Sequence, residues 1–223
     1  GAEVHVAPLI PTDASLIPGM LEKASAFVRE ALEDDLSCVL VACSKGASRS
    51  VAVVLTHLMT SSGARLQEAF HIVARLRWRV WPSALLVEAL LGLEAKYLEV
   101  EGGKRQQTPA DRAAVCRQIG AHAALATAWH NGKPAKASDV EAAWNEASEQ
   151  AASWEEAFRL CKQRLLGLSG ADLESFGPGQ AGGRRRPPHA EVCEVEEGLL
   201  LCGLGGLSST EVAKLLHEHG VVQ

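Results

Sequence analysis

The sequence has no two cysteines at C-x-x-C spacing, no apolar run of membrane-spanning length and no secretory signal at its start. Its six cysteines, Cys38, Cys43, Cys116, Cys161, Cys193 and Cys202, are scattered, and their spacing is not that of a zinc site. No membrane-spanning helix is expected. An excess of positive charge is missing too: 22 Lys and Arg stand against 27 Asp and Glu, a formal net charge of -5. Broad electrostatic binding to nucleic acid or to a membrane surface is therefore not expected, although a local basic pocket can still capture an anion. Thiols without a disulfide framework point to a reducing, intracellular setting, and we expect a cytoplasmic protein. The chain opens on Gly1 rather than Met, so we expect a fragment of a longer protein.

The 223 residues are 47% hydrophobic and 22% charged, a globular composition with room for one large domain or two small ones. Val4 to Leu9 reads as a short strand. From Pro18 to Ala31 the apolar residues Leu21, Ala24, Phe27, Val28 and Ala31 fall at helical spacing, with Pro18 suited to a first turn. Val39, Leu40 and Val41 read as a buried strand at the centre of a sheet. Val51, Val54, Leu55 and Leu58 return to helical spacing. Further helices are expected at Leu66 to Leu76 and Ser83 to Leu98. Strands with intervening helices imply an α/β domain with helices flanking a central sheet.

Gly102 to Gln107 is a polar break. Thr108 followed by Asp111 looks like an N-capping arrangement. Stretches 108–128 and 138–168 read as helical. Phe176 to Pro188, with Gly, Pro and the run Arg184-Arg185-Arg186, reads as a solvated linker. Val195 to Gly206 is apolar and glycine-rich, and Ser209 to His219 reads as a short helix closed by Gly220.

The segment Cys43-Ser44-Lys45-Gly46-Ala47-Ser48-Arg49-Ser50 joins the C-terminal end of a strand to the N-terminus of a helix. Ligands of open α/β sheets bind at such places. The first amides of a helix have no partners within it, its dipole favours an anion, and successive amides of a tight loop can curl into an anion nest. Gly46 permits unusual dihedrals or close approach. Arg49 can pair two phosphate oxygens at once. A thiolate at Cys43 would feel both the helix N-terminus and Arg49, which lower a cysteine pKa from about 8.5 to roughly 3.5–7.5. The groups that hold a phosphate would thus also create its attacker.

The pattern Cys43-x-x-Gly46-x-Ser48-Arg49-Ser50, followed by VAVVLTHLM, resembles the protein tyrosine phosphatase superfamily and, within it, the dual-specificity branch. The likeness runs on through Leu66-Gln67-Glu68-Ala69-Phe70, the Arg75–Trp81 region and Pro82 with its following helix, and covers most of residues 4 to 98. It implies Cys43 as nucleophile, Arg49 as phosphate clamp and transition-state stabiliser, and the amides of Ser44, Lys45, Gly46, Ala47, Ser48 and Arg49 as the cradle. Ser50 would hydrogen-bond the departing thiolate when the phosphocysteine breaks down. The resemblance implies a phosphorylated protein as substrate and no metal or organic cofactor.

Three departures from the family pattern bear on activity. Ala42 stands where a His usually precedes the cysteine, so a higher Cys43 pKa than in a typical member is expected. Aligning Pro8 with the usual proline puts Pro11 where the general-acid Asp would lie; Asp13, two residues on, is the candidate acid, with turn capping as its alternative role. Ser83, Ala84, Leu85 and Leu86 replace the usual Asn-x-Gly-Phe, which concerns loop support more than chemistry. His57 and His71 are assigned to helices away from the loop. Trp78 and Trp81 are assigned to packing, with the pocket rim as the alternative.

Residues Glu194 to Gly203 and Ser209 to Val221 are similar to the opening of a dual-specificity phosphatase domain, yet they follow the loop rather than precede it. The expected organisation is a catalytic domain at 1–101 lacking its usual first strands, a helical spacer at 102–175, a linker at 176–190 and the opening of a second repeat at 191–223. The apolar Leu199–Leu201 run needs a sheet to bury it, so the tail is expected to fold back onto the first domain. The function expected is a phosphatase acting on phosphotyrosine and on phosphoserine or phosphothreonine. The alternative is a weakly active pseudophosphatase that serves as a phosphoprotein-binding module or scaffold.

Overall fold

A computed structural model describes residues 6, 14–33, 37–77, 80–100, 107–130, 137–166, 192–203 and 209–218. The expected strand at Val4–Leu9 lies outside these residues, except for an exposed Val6 with no strand pairing. Asp13, Trp78, the arginine run and Gly220 also lie outside them. The chain divides into two compact units, Gly1–Arg112 together with His189–Gln223, and Ala113–Pro188.

In the first unit, α1 (Ile17–Ala31) carries Pro18 in its first turn and buries Ile17, Leu21, Ala24, Ser25 and Val28, one stripe at three- and four-residue steps. β1 (Val39–Cys43) leads through the loop into α2 (Arg49–Ser61). Helix α2 is buried from Ser50 through Met59, as expected of a helix enclosed by others. Two of its hydroxyls bond back along the helix, Thr56 donating to the Ala52 carbonyl at 2.9 Å and Thr60 to that of Thr56 at 3.0 Å. α3 (Leu66–Leu76) matches the sequence expectation in both ends, and its start is fixed where the Arg65 amide donates to Glu68 at 2.9 Å. α4 (Ala84–Val100) follows Pro82. Helices α1, α3 and α4 all pack on α2.

The sheet is completed from the far end of the chain. β2 (Cys193–Glu196) and β3 (Leu199–Gly203) form a hairpin turning at Gly198, whose φ of 75° suits glycine. A bulge at Val195 shifts their register between Glu194 and Glu196. β3 pairs parallel with β1, from Val39 opposite Leu199 to Cys43 opposite Gly203. The tail thus returns to the first domain, as its apolar run required.

Among the described residues the strand order is β1-β3-β2, with β3 between the other two. The burial explains it: Leu199, Leu200, Leu201 and Cys202 are all buried, so both faces of β3 are covered, whereas Leu40 through Cys43 are only half-buried. The hairpin is also held by His57 of α2, whose Nε2 lies 2.7 Å from Glu196 Oε1. Helix α8 (Ser209–Glu218) follows the hairpin.

α5 (Pro109–His130) begins with the expected cap: the Asp111 amide donates to Thr108 Oγ1 at 3.1 Å and the Thr108 amide to Asp111 Oδ2 at 3.0 Å. The boundary between units falls within this helix. In the second unit the stretch read as helical from 138 to 168 is two helices, α6 (Ala137–Gln150) and α7 (Trp154–Leu166). Ser153 restarts the helix, because its hydroxyl accepts from the Glu156 amide at 3.2 Å while Glu156 accepts from the Ala152 amide at 3.0 Å. The six-membered ring of Trp144 sits against Gly120, where any Cβ would meet it, and Trp144 packs with Ala124, Ala147, Ala157 and Cys161. No described helix is long and apolar enough to cross a membrane.

Candidate functional site

The loop between β1 and α2 is built around one sulfur. The Gly46 amide donates to Cys43 Sγ at 3.2 Å, and Ser50 Oγ lies 3.2 Å from the same atom. Gly46 takes φ 62°, the left-handed region a side chain would resist, so glycine suits this point of the turn. Ser50 sits in the first turn of α2 and is buried, so its hydroxyl is fixed beneath the thiol.

These contacts set the thiol's charge. Burial by itself pushes the Cys43 pKa up; the Ser50 hydroxyl and the backbone N–H groups of Ser50, Lys45 and Gly46 outweigh it and bring the thiol down to about 7. A substantial thiolate fraction therefore exists near neutral pH without help from residue 42, where Ala42 offers no polar side chain. The cause differs in part from the sequence expectation. The helix N-terminus acts, through the Ser50 amide, but the lowering comes from close hydrogen bonds rather than from the Arg49 charge.

Arg49 Nη2 donates to Ser44 Oγ at 3.0 Å, an exposed bond that closes the loop from its first residue to its last. Cys43, Ser44, Gly46, Arg49 and Ser50 are thus gathered into one closed turn. Ala47 and Ser48 face a different set of partners. Arg77 Nε donates to the Gly46 carbonyl at 2.9 Å, the Trp81 amide to the Ala47 carbonyl at 2.8 Å, and the Ser83 amide to Ser48 Oγ at 3.0 Å. Arg77, Trp81 and Ser83 thus fasten three successive loop residues. The reading of residues 83–86 as loop support holds for Ser83, through its backbone. Arg77, a buried arginine against a loop carbonyl, was not singled out in sequence, where it looks like any basic residue ending a helix.

Other candidates fall elsewhere. His57 is buried and engaged with Glu196, and His71 is exposed on α3. Burial raises the Cys202 thiol to about 11, and the neighbouring Cys43 and Cys193 add to the effect against Arg77. Cys38 is also raised, by burial and by Glu194. Cys43 is thus the described cysteine with a lowered pKa in a cradle of amides. The site is a lowered thiol in a strand-to-helix loop with its own guanidinium.

Comparison with known proteins agrees with that geometry. Residues 4–96 match the family of the dual specificity phosphatase, catalytic domain. A curated relative from Invertebrate iridescent virus 6, "Putative tyrosine phosphatase 123R", is 31% identical over 83 residues, which span 37% of this chain and 58% of that protein. The chain therefore spans under two thirds of that relative's length. No solved structure matches at comparable stringency.

Proposed function

We propose that the first unit hydrolyses phosphate monoesters on proteins, phosphotyrosine foremost and phosphoserine or phosphothreonine as well, through a phosphocysteine. The Cys43 thiolate attacks phosphorus in line; a P–S bond forms as the P–O ester bond breaks, and the leaving oxygen takes a proton, for which Asp13 is the candidate donor. The loop amides and Arg49 meet the equatorial phosphoryl oxygens, with Arg49 exchanging its bond to Ser44 for the phosphate. Water then attacks phosphorus and the P–S bond breaks. The Ser50 hydroxyl receives the returning thiolate by hydrogen bond, and inorganic phosphate leaves.

The observation that carries this reading is the convergence of the Lys45, Gly46 and Ser50 amides and the Ser50 hydroxyl on Cys43 Sγ, which holds the thiol at about 7. The test is release of phosphate from an aryl phosphate, whose good leaving group needs the general acid least. We expect turnover by the parent protein, none by Cys43→Ser, and a strong loss in Arg49→Ala. A second reading is favoured by Ala42, which replaces the family's usual histidine: a binding module that keeps the cradle. Capture of a phosphotyrosine peptide, sensitive to Arg49→Ala but without turnover, would select it. We also read residues 191–223 as the front of a repeat that follows the loop in this chain, with 102–175 as spacer and 176–190 as linker.

A further inference from the structure

The phosphate loop touches the tail of the chain. β1 and β3 run parallel with Cys43 opposite Gly203, so the last residue of β3 lies beside the first residue of the loop. The approach is backbone on backbone. A Cβ on Gly203 would stand 2.6 Å from the Lys45 carbonyl carbon and oxygen and 2.8 Å from the Gly46 nitrogen. A Cβ on Gly46 would stand 2.6 Å from the Cys202 carbonyl and the Gly203 nitrogen. No rotamer change can relieve either contact, because nothing there is side chain. Gly203 is not in the left-handed region, so it is glycine for space alone.

The atoms met are the ones that matter. The Gly46 nitrogen that Gly203 abuts is the donor that reaches Cys43 Sγ at 3.2 Å. β3 is itself fixed by four consecutive buried residues, by the Val39 amide donating to the Gly198 carbonyl at 2.8 Å, and by the His57–Glu196 contact across the hairpin. A rigid strand from the C-terminal segment thus backs the turn whose amides hold the thiolate.

We propose that Gly203 is a positioning residue for the phosphate loop, and that the C-terminal hairpin makes the Cys43 thiol competent. The hairpin acts by holding the Lys45–Gly46 peptide against the sulfur. Displacing it leaves the thiol in place but raises its pKa and loosens the phosphate cradle. The phosphate part of this inference rests on the phosphatase reading; the thiol part does not.

The experiment compares the full chain with Gly203→Ala and with Gly92→Ala, whose added methyl meets nothing within 4 Å. Two quantities are read: the pH midpoint of Cys43 alkylation by iodoacetamide, and the inhibition constant of inorganic phosphate against aryl phosphate hydrolysis. We expect Gly203→Ala to raise the midpoint by about one unit, which lowers alkylation below the midpoint about tenfold, and to weaken phosphate inhibition; Gly92→Ala moves neither. A folded Gly203→Ala with an unmoved midpoint overturns the proposal even if the parent protein is an active phosphatase. A raised midpoint in a chain without phosphatase activity sustains it and refutes the functional reading alone. Should Gly203→Ala fail to fold, Glu196→Ala, which frees the hairpin from His57 and leaves both glycines intact, is expected to raise the midpoint by a smaller amount. An unmoved midpoint there overturns the proposal.

Discussion

Replacing Ser50 by Ala removes a single hydroxyl beneath the nucleophile and leaves the backbone amides of Lys45, Gly46 and Ser50 in place. The lost contact is the 3.2 Å approach of Ser50 Oγ to Cys43 Sγ. A hydrogen bond to a charged group contributes about 1.5–3 kcal/mol, and a diffuse sulfur acceptor argues for the lower end, about 1.5. At 1.36 kcal/mol per pKa unit this raises the thiol by about one unit, from about 7 toward roughly 8. At pH 7 the thiolate fraction then falls from about half to about a tenth. The assay is the rate of iodoacetamide alkylation of Cys43 between pH 5 and pH 10, by mass spectrometry of the Cys43 peptide, with circular dichroism to establish that the variant is folded. A midpoint that stays at about 7 in folded Ser50→Ala would refute the assignment of the lowered pKa to this hydroxyl.

Other consequences concern the frame around the site. Leu201 is fully buried at the centre of the sheet, so Leu201→Ala should cost about 2–5 kcal/mol; an unchanged urea midpoint would contradict the placement of β3. Glu94 is buried and accepts from the Leu66 amide at 2.9 Å, from Arg65 Nε at 3.4 Å and from Gln107. Glu94→Ala leaves the Leu66 donor buried and unpaired, a loss of about 1–3 kcal/mol that thermal or urea unfolding reads directly. The Cys43 thiol also ties stability to pH. Its folded pKa of about 7 lies below the ordinary thiol value, so between the two the unfolded chain holds a proton that the native chain has released. Stability relative to Cys43→Ser should therefore rise from pH 7 to pH 9 and be flat below pH 7. A difference curve that is level across that window would count against the depressed thiol.

Local chemistry was the legible part. Helix α3 spans the Leu66–Leu76 stretch expected of it, and the Thr108–Asp111 cap forms as its spacing implied. The loop was legible for the same reason: a cysteine, a glycine, two serines and an arginine act within eight residues, and each contact spans only a short stretch of chain. The Ser153–Glu156 cap that splits the helical stretch was visible too, as a serine three residues before a glutamate, but the alanine-rich composition on either side obscured it.

What sequence could not supply was the long-range bracing. Arg77 follows the last residue of α3 in extended conformation, and its side chain turns inward to the Gly46 carbonyl, 31 residues back in the chain, a partner that no local pattern names. The position of β3 at the centre of the sheet depends on which strand is covered on both faces, and that depends on partners far along the chain. Gly203 reads as one glycine among 20 until the parallel register sets it against the loop.

The central claim is chemical, and the most direct test looks for the bond itself. The protein is mixed with an aryl phosphate, quenched in acid within the first turnover and digested, and the Cys43 peptide is weighed. One phosphoryl group on Cys43, absent from Cys43→Ser, is the predicted result. Steady phosphate release with no adduct on Cys43, or release undiminished in Cys43→Ser, would contradict the account.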